Sequence, residues 1–270
     1  MMDHLLRSHA PITDLAWKAL DEEASARLAP ALGARKLVDF TGPLGWEHSA
    51  TNLGRVGAVV AAPTEGVIAR SRVVQPLIEV RADFRMSLDE LLTASRGASD
   101  LDFSALDHAA EHLAETENAA VLAGWAQAGI VGVSEASPHD PVVVDGSPAS
   151  YAAGVAEAVA TLKRNGIGGP YALAVGPLDW VRVIESSEHG GYPLERHLSS
   201  VLGGPIEWSP GFSSGIVLSL RGGDFLFESG QDVSLGFASA DDTSVNLYLE
   251  ESFSFRVVTP EAAIALSVAA

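Results

Sequence analysis

Three stretches of this chain carry residue types at spacings that chemistry uses. His108-Ala109-Ala110-Glu111-His112 fits the H-x-x-E-H pattern of one metalloprotease class. Two histidines four apart on a helix face one side, as a zinc pair must. A third ligand has no evident candidate, and Glu115 and Glu117 follow, so the stretch reads as a charged, solvated helix face. Gly211-Phe212-Ser213-Ser214-Gly215 fits G-x-S-x-G, the hydrolase nucleophile elbow. The elbow needs a strand before it and a helix after it, so that the serine sits at a helix N-terminus. Here the strand-like Ile216-Val217-Leu218-Ser219-Leu220 follows, and a turn between strands is the better reading. Gly166-Ile167-Gly168-Gly169-Pro170 has the glycines of a phosphate-cradling loop. It comes after a helical pattern and before the strand-like 171–175, the reverse of the required order. No catalytic residue is nominated, and no enzymatic activity is expected.

The elements around these stretches follow from periodicity. Residues 11–29 read as an amphipathic helix, with Pro11 and Thr13 at its start, Leu15, Ala19, Leu20, Ala24 and Leu28 recurring, and Pro30 and Gly33 at its end. Residues 36–60 are strand-like, broken at Gly42-Pro43. Two apolar runs between Leu53 and Val80 flank the turn signal Pro63-Thr64-Glu65-Gly66 and predict a long β-hairpin. Ser87-Leu88-Asp89-Glu90 is a capping box, with Met86 and Leu91 placed as a hydrophobic staple. A longer helix is expected from Ser104 to about Ala128, with Leu106, Ala109, Leu113, Thr116 and Ala120 on one face. Another is expected from Ala149 to Arg164, stopped by Asn165-Gly166. The last third alternates as strand, at Val245, Leu247 and Leu249 and again at Phe253, Phe255 and Val257. Helix and strand mix without regular βαβ order, which predicts an α+β fold.

Composition narrows the class. The chain has 270 residues, 47% of them apolar, and a formal charge of −18 from 17 Lys and Arg against 35 Asp and Glu. So acidic a chain has no electrostatic reason to hold a phosphate backbone, and nucleic acid is not an expected partner. With no cysteine, no disulfide or thiolate site is possible. No apolar run approaches the roughly 18 residues of a membrane span, and the N-terminus lacks a signal-peptide pattern. The expectation is a cytoplasmic protein with no membrane partner.

Several segments in register carry a resemblance. Arg7-Ser8-His9-Ala10-Pro11-Ile12-Thr13-Asp14-Leu15-Ala16-Trp17 is followed by Gly33-Ala34-Arg35-Lys36-Leu37-Val38-Asp39-Phe40-Thr41-Gly42-Pro43-Leu44-Gly45-Trp46. Far along the chain come Arg221-Gly222-Gly223-Asp224-Phe225, Gly230-Gln231-Asp232-Val233-Ser234-Leu235-Gly236 and the block 250–262. Together they resemble the family 1 encapsulin shell proteins, nanocompartment subunits some of which were first described as linocin-type bacteriocins. The resemblance implies an HK97 phage-capsid-like fold with a peripheral domain, an axial domain and an extended β-hairpin loop. It divides the chain into 1–52 (N-terminal helix and start of the peripheral domain), 53–80 (extended loop), 81–138 (peripheral domain with spine helix), 139–215 (axial domain) and 216–270 (return to the peripheral domain and C-terminal strands). It implies self-assembly into an icosahedral shell, in the smallest case of 60 subunits. Such shells enclose a cargo enzyme, a ferritin-like iron oxidase or a dye-decolourising peroxidase, held by its C-terminal targeting peptide.

The resemblance also places sites. Leu28, Arg35, Asp39 and Leu235 fall where the family contacts the targeting peptide. Glu185, Glu188, His189, Gly190, Gly191 and Tyr192 fall in the loop that rings the five-fold pore. Part of the family binds flavin on an aromatic residue in the helix opened by Ser87. Asp89 stands there instead, and a carboxylate has no flat face to stack, so no cofactor and no metal are expected. Two other readings compete: a phage major capsid protein, disfavoured by the lack of a long N-terminal scaffolding segment, and a hydrolase or secreted bacteriocin, disfavoured by the poor motif contexts.

Overall fold

The computed structural model describes residues 4–187 and 191–268. Its first helix, α1 (Asp14–Ala31), is capped by Thr13, whose Oγ1 accepts from the Ala16 N–H at 3.2 Å. Ala16, Trp17, Leu20, Ala24, Leu28 and Ala31 form its buried stripe. Leu15, expected on that stripe, is instead 57% exposed, because the stripe starts one residue later at Ala16. Beyond Ala31 the chain passes into strand β1 (Asp39–Thr41).

A long two-stranded ribbon follows, β2 (Ala50–Val60) against β3 (Ala69–Pro76), whose backbone ladder takes in no third strand among the described residues. The expected hairpin extended to Val80, but β4 (Ile78–Ser87) already pairs with the central sheet, starting at Ile78 opposite Phe253. Ser87 then caps α2 (Leu88–Ser95), its Oγ accepting from Glu90 N. Glu90 does not return the bond as a full capping box would; its carboxylate accepts from Asp102 N at 2.9 Å.

The next helix, α3 (Ser104–Leu122), ends six residues before the expected Ala128. Gly124, at φ +104°, reverses the chain where a Cβ would strike Gly132 N, and residues 126–128 form only a short 3-10 turn. Asn118 fastens α3 to the end of α1. Its amide nitrogen donates to the carbonyls of Ala31 (2.8 Å) and Pro210 (3.0 Å), and its Oδ1 accepts from Ala34 N (2.9 Å). The remaining helices are α4 (Val133–Ala136), α5 (Pro148–Arg164), α6 (Pro177–Glu185) and α7 (Leu194–Leu202). Asn165 and Gly166, the latter at φ +75°, stop α5 as expected.

Two five-stranded sheets complete the fold. In the first, β11 (Ser244–Val257) is the hub: it pairs with β4 on one side and with β10 (Ser234–Ala240) and β9 (Phe225–Ser229) on the other, and β1 joins β9 in parallel. The second runs β5 (Val142–Val144), β12 (Ala263–Val268), β8 (Gly215–Ser219), β6 (Tyr171–Val175) and β7 (Ile206–Trp208). The division expected between 215 and 216 falls inside β8, and the last strand returns to this second sheet rather than the first. The physical reason is long-range pairing, which a linear division of the sequence cannot express.

Candidate functional site

Two concavities meet along α1. One, of about 810 Å3, is lined by Arg7, Ile12, Trp17 and Asp21 among others. The other, of about 380 Å3, is lined by Leu28, Leu32, Arg35, Val233, Leu235 and Leu249. Asp21 and Ser25 border both, so the two read as one groove. Arg7 shapes the upper part: its guanidinium lies 4.1 Å from the Trp17 ring centroid and pairs with Asp21 at 2.7 Å. The lower floor is apolar, contributed by α1 on one side and β10 and β11 on the other. Leu28 (7% exposed) and Leu235 (4%) are at once groove floor and core.

Beneath this floor sits a buried charge cluster. The guanidinium of Arg35 donates from Nε to both Glu117 carboxylate oxygens (3.1 and 3.0 Å) and from Nη2 to Glu117 Oε2. Nη1 donates to Asp232 Oδ1 (2.8 Å) and Nη2 to Glu251 Oε2 (2.9 Å). Glu117 and Glu251 are fully buried, while Asp232 is about half exposed at the groove. One cation thus faces three carboxylates. Burial alone would lower the arginine pKa, but the bonds and charge of Glu117, with Glu251 and Asp232, reverse this and hold the guanidinium charged. Burial pushes the Glu251 carboxyl well above its ordinary range, the Glu117 charge pushes it further, and Arg35 only partly opposes them. Glu251 Oε1 has no hydrogen-bond partner among the described residues.

Glu117 had been expected on a solvated helix face; the fold buries it completely, four residues on from Leu113 on the same inward stripe. Glu251 was missed, although a signal was present. It occupies the inward register of β11 between Leu249 and Phe253, where alternation demands an apolar residue. Asp232, Val233 and Leu249 reach the groove only through the sheet.

Of the four residues nominated for peptide contact, the fold brings Leu28, Arg35 and Leu235 together. Asp39 lies elsewhere. Strand β1 carries it to a separate cleft of about 190 Å3 beside Gly222 and Asp224, where its carboxylate accepts from Gly223 N at 2.6 Å. Asp89 is exposed on α2. Of the loop residues, Glu185 ends α6 and is exposed, as are Gly191 and Tyr192. A bridge between Ser187 and Pro193 and a bond from Leu194 N to Ser186 O (3.1 Å) close the stem. Glu188, His189 and Gly190 lie outside the described residues. The G-x-S-x-G stretch leads into β8, a strand, as its sequence context predicted.

The hairpin is the most conspicuous surface. Val56, Val59, Val60, Val67, Ile68 and Val74 are all 47–76% exposed along it. An isolated two-stranded ribbon is marginal in water, and a contiguous exposed apolar stripe marks an interaction surface.

Solved structures of similar architecture are shells. The virus-like particle from Pyrococcus furiosus is 17% identical and superposes with a TM-score of 0.68 over 93% of this chain and 98% of that one. The capsid of the empty GTA particle is 16% identical, with a TM-score of 0.53 over 88% and 90%. The fold is therefore the HK97 phage-capsid-like one. Sequence comparison narrows the class: the family described as "Encapsulating protein for peroxidase" matches residues 2–254. The type 1 encapsulin shell protein of Rhodospirillum rubrum is 40% identical over 270 residues, covering 98% of this chain and 96% of that protein. That of Brevibacterium linens is 36% identical over 268 residues, covering 99% and 100%. The chain belongs to the type 1 encapsulin shell protein family. Among the described residues, no helix is long and apolar enough to cross a membrane.

Proposed function

We propose that this chain self-assembles into a closed icosahedral shell, sixty copies in the smallest form, that encloses a cargo enzyme. The observation that carries the proposal is the projecting hairpin: among the described residues β2 and β3 form a two-stranded ladder, and they expose an apolar stripe that a neighbouring subunit would cover. The cargo belongs to the class of peroxidases or ferritin-like iron oxidases, and its C-terminal segment docks in the α1 groove on the inner wall. Leu28, Leu32, Val233, Leu235 and Leu249 supply an apolar floor for alternate side chains, rimmed by the Arg7–Asp21 pair and by Asp232. Arg35 is already committed to three carboxylates, so it orders the floor rather than offering a free positive charge.

Electron microscopy of the purified chain should show uniform closed particles, with cargo co-purifying when co-expressed. Ala29 lies on the exposed groove rim, so Ala29→Trp should block cargo loading by tenfold or more while leaving particles intact. Leu28→Glu should do the same if the core tolerates it, whereas Asp39→Lys should load normally. Full loading of Ala29→Trp would remove the groove from the site.

The loop between α6 and α7 is proposed to line the five-fold channel. There each acidic side chain is repeated five times, and a ring of Glu188 carboxylates attracts cations. Replacing Glu188 and His189 with alanine should slow iron entry into loaded shells several-fold at low salt and less at high salt, where screening already weakens the field. Equal uptake by parent and variant at low ionic strength would remove this loop from the cation path.

A further inference from the structure

The shell reading leaves His108 and His112 without a role, yet their spacing on α3 is that of a metal-ligating pair. The turn of α3 stacks residues four apart on one face. Both histidines are exposed, and both line a cleft of about 700 Å3 between α3 and β4, across from Glu79 and from Asp83, which is paired with Arg81 at 2.6 Å. His108 Nδ1 lies 2.6 Å from the Ser104 carbonyl oxygen. A carbonyl only accepts, so Nδ1 carries the proton and donates it. In the neutral ring Nε2 is then left with a free lone pair. A hydrogen bond from the far ring nitrogen to a carbonyl is how metal-ligating histidines are commonly oriented, and it raises the basicity of the ligating nitrogen. We propose that His108 and His112 together bind a late first-row divalent cation such as Zn2+, each through a ring nitrogen, in an open site. Among the described residues no group of three His, Asp or Glu side chains is placed to hold an ion. Water therefore fills the remaining positions, as in sites that exchange metal rather than closed structural ones. Imidazole ligands select such ions over Mg2+ and Ca2+, which take oxygen. The role is binding, not hydrolysis, since Glu111 lies on the exposed face of α3 and, among the described residues, no third ligand completes a catalytic centre.

The test is calorimetric titration of Zn2+ into assembled, cargo-free shells of the full chain and of the His108→Ala, His112→Ala double variant. Both positions are exposed in the isolated chain, so the variant should fold, and electron microscopy checks that it forms the same particles before titration. The parent should bind one more Zn2+ per chain than the variant. Glu111→Gln should keep the extra ion, and Mg2+ should show no difference between parent and double variant. Identical Zn2+ stoichiometry and affinity in parent and double variant would overturn the proposal.

Discussion

Replacing Arg35 with alanine should lower the stability of the shell subunit by about 3–5 kcal/mol, the usual cost of removing one partner from a buried ion cluster. The substitution strands Glu117 and Glu251, both fully buried, with no cation. Lysine should rescue only part, because it keeps the charge but cannot fork among three carboxylates. The loss should depend on pH with a definite sign. The folded chain holds a proton on Glu251 at pH values where an unfolded glutamate has lost it, since burial and Glu117 raise its pKa. Stability from this group is present at acid pH and declines as pH rises from the ordinary glutamate range through the raised value. Removing Arg35 deletes the one opposing influence, so the deficit should be larger at pH 8 than at pH 5. Glu251→Gln keeps an acceptor for Arg35 and removes the titration, so it should flatten the profile. The measurement is the denaturant midpoint at fixed chain concentration, because assembly itself contributes to apparent stability. A parent-like midpoint for Arg35→Ala at pH 8 would show that the cluster holds nothing together.

Excising residues 60–72 should abolish closed particles outright. The excision removes the turn and the outer rungs of the ribbon, including the pairs Val59 with Arg70 and Val60 with Ala69. It also removes Val67 and Ile68, 58% and 76% exposed in the isolated chain. Burying each such side chain against a neighbour contributes about 1.5–3 kcal/mol, and a closed shell repeats that contact at every subunit. The bonds that tie the ribbon to β9 and β11 come from Thr51 and Gln75 at its base, outside the excised part, so the excision leaves both sheets bonded as before, and the product should be soluble subunits or aggregates. A milder variant, with Val59, Val67 and Ile68 changed to serine, keeps the backbone ladder and should shift sedimentation from shells toward small species. Uniform particles from the excised chain would show that the hairpin does not join subunits.

How far the sequence carried depended on the range of the signal. Thr13, Ser87 and the Asn165-Gly166 stop act within one turn of their helices, and each marked its helix end in the structure. Context rules of similar range dismissed the hydrolase elbow: four residues after Gly211, β8 begins as a strand. Ordered segments spread over nearly the whole chain sufficed for family and fold, because a shared architecture preserves many short local solutions at once. The local rules failed where a distant partner decides. Leu15 had helical spacing but the wrong face, which only packing on α3 and α2 selects. Glu117 looked solvated, being charged and flanked by charge, yet it answers an arginine 82 residues away. Asp39 stands four residues from Arg35, but its strand turns it to another cleft, while Glu251, 216 residues away, takes the place beside the guanidinium. Periodicity reports which way a side chain points. Which opposite charge waits there is set by sheet pairing across the whole chain, and that is a property of the tertiary structure alone.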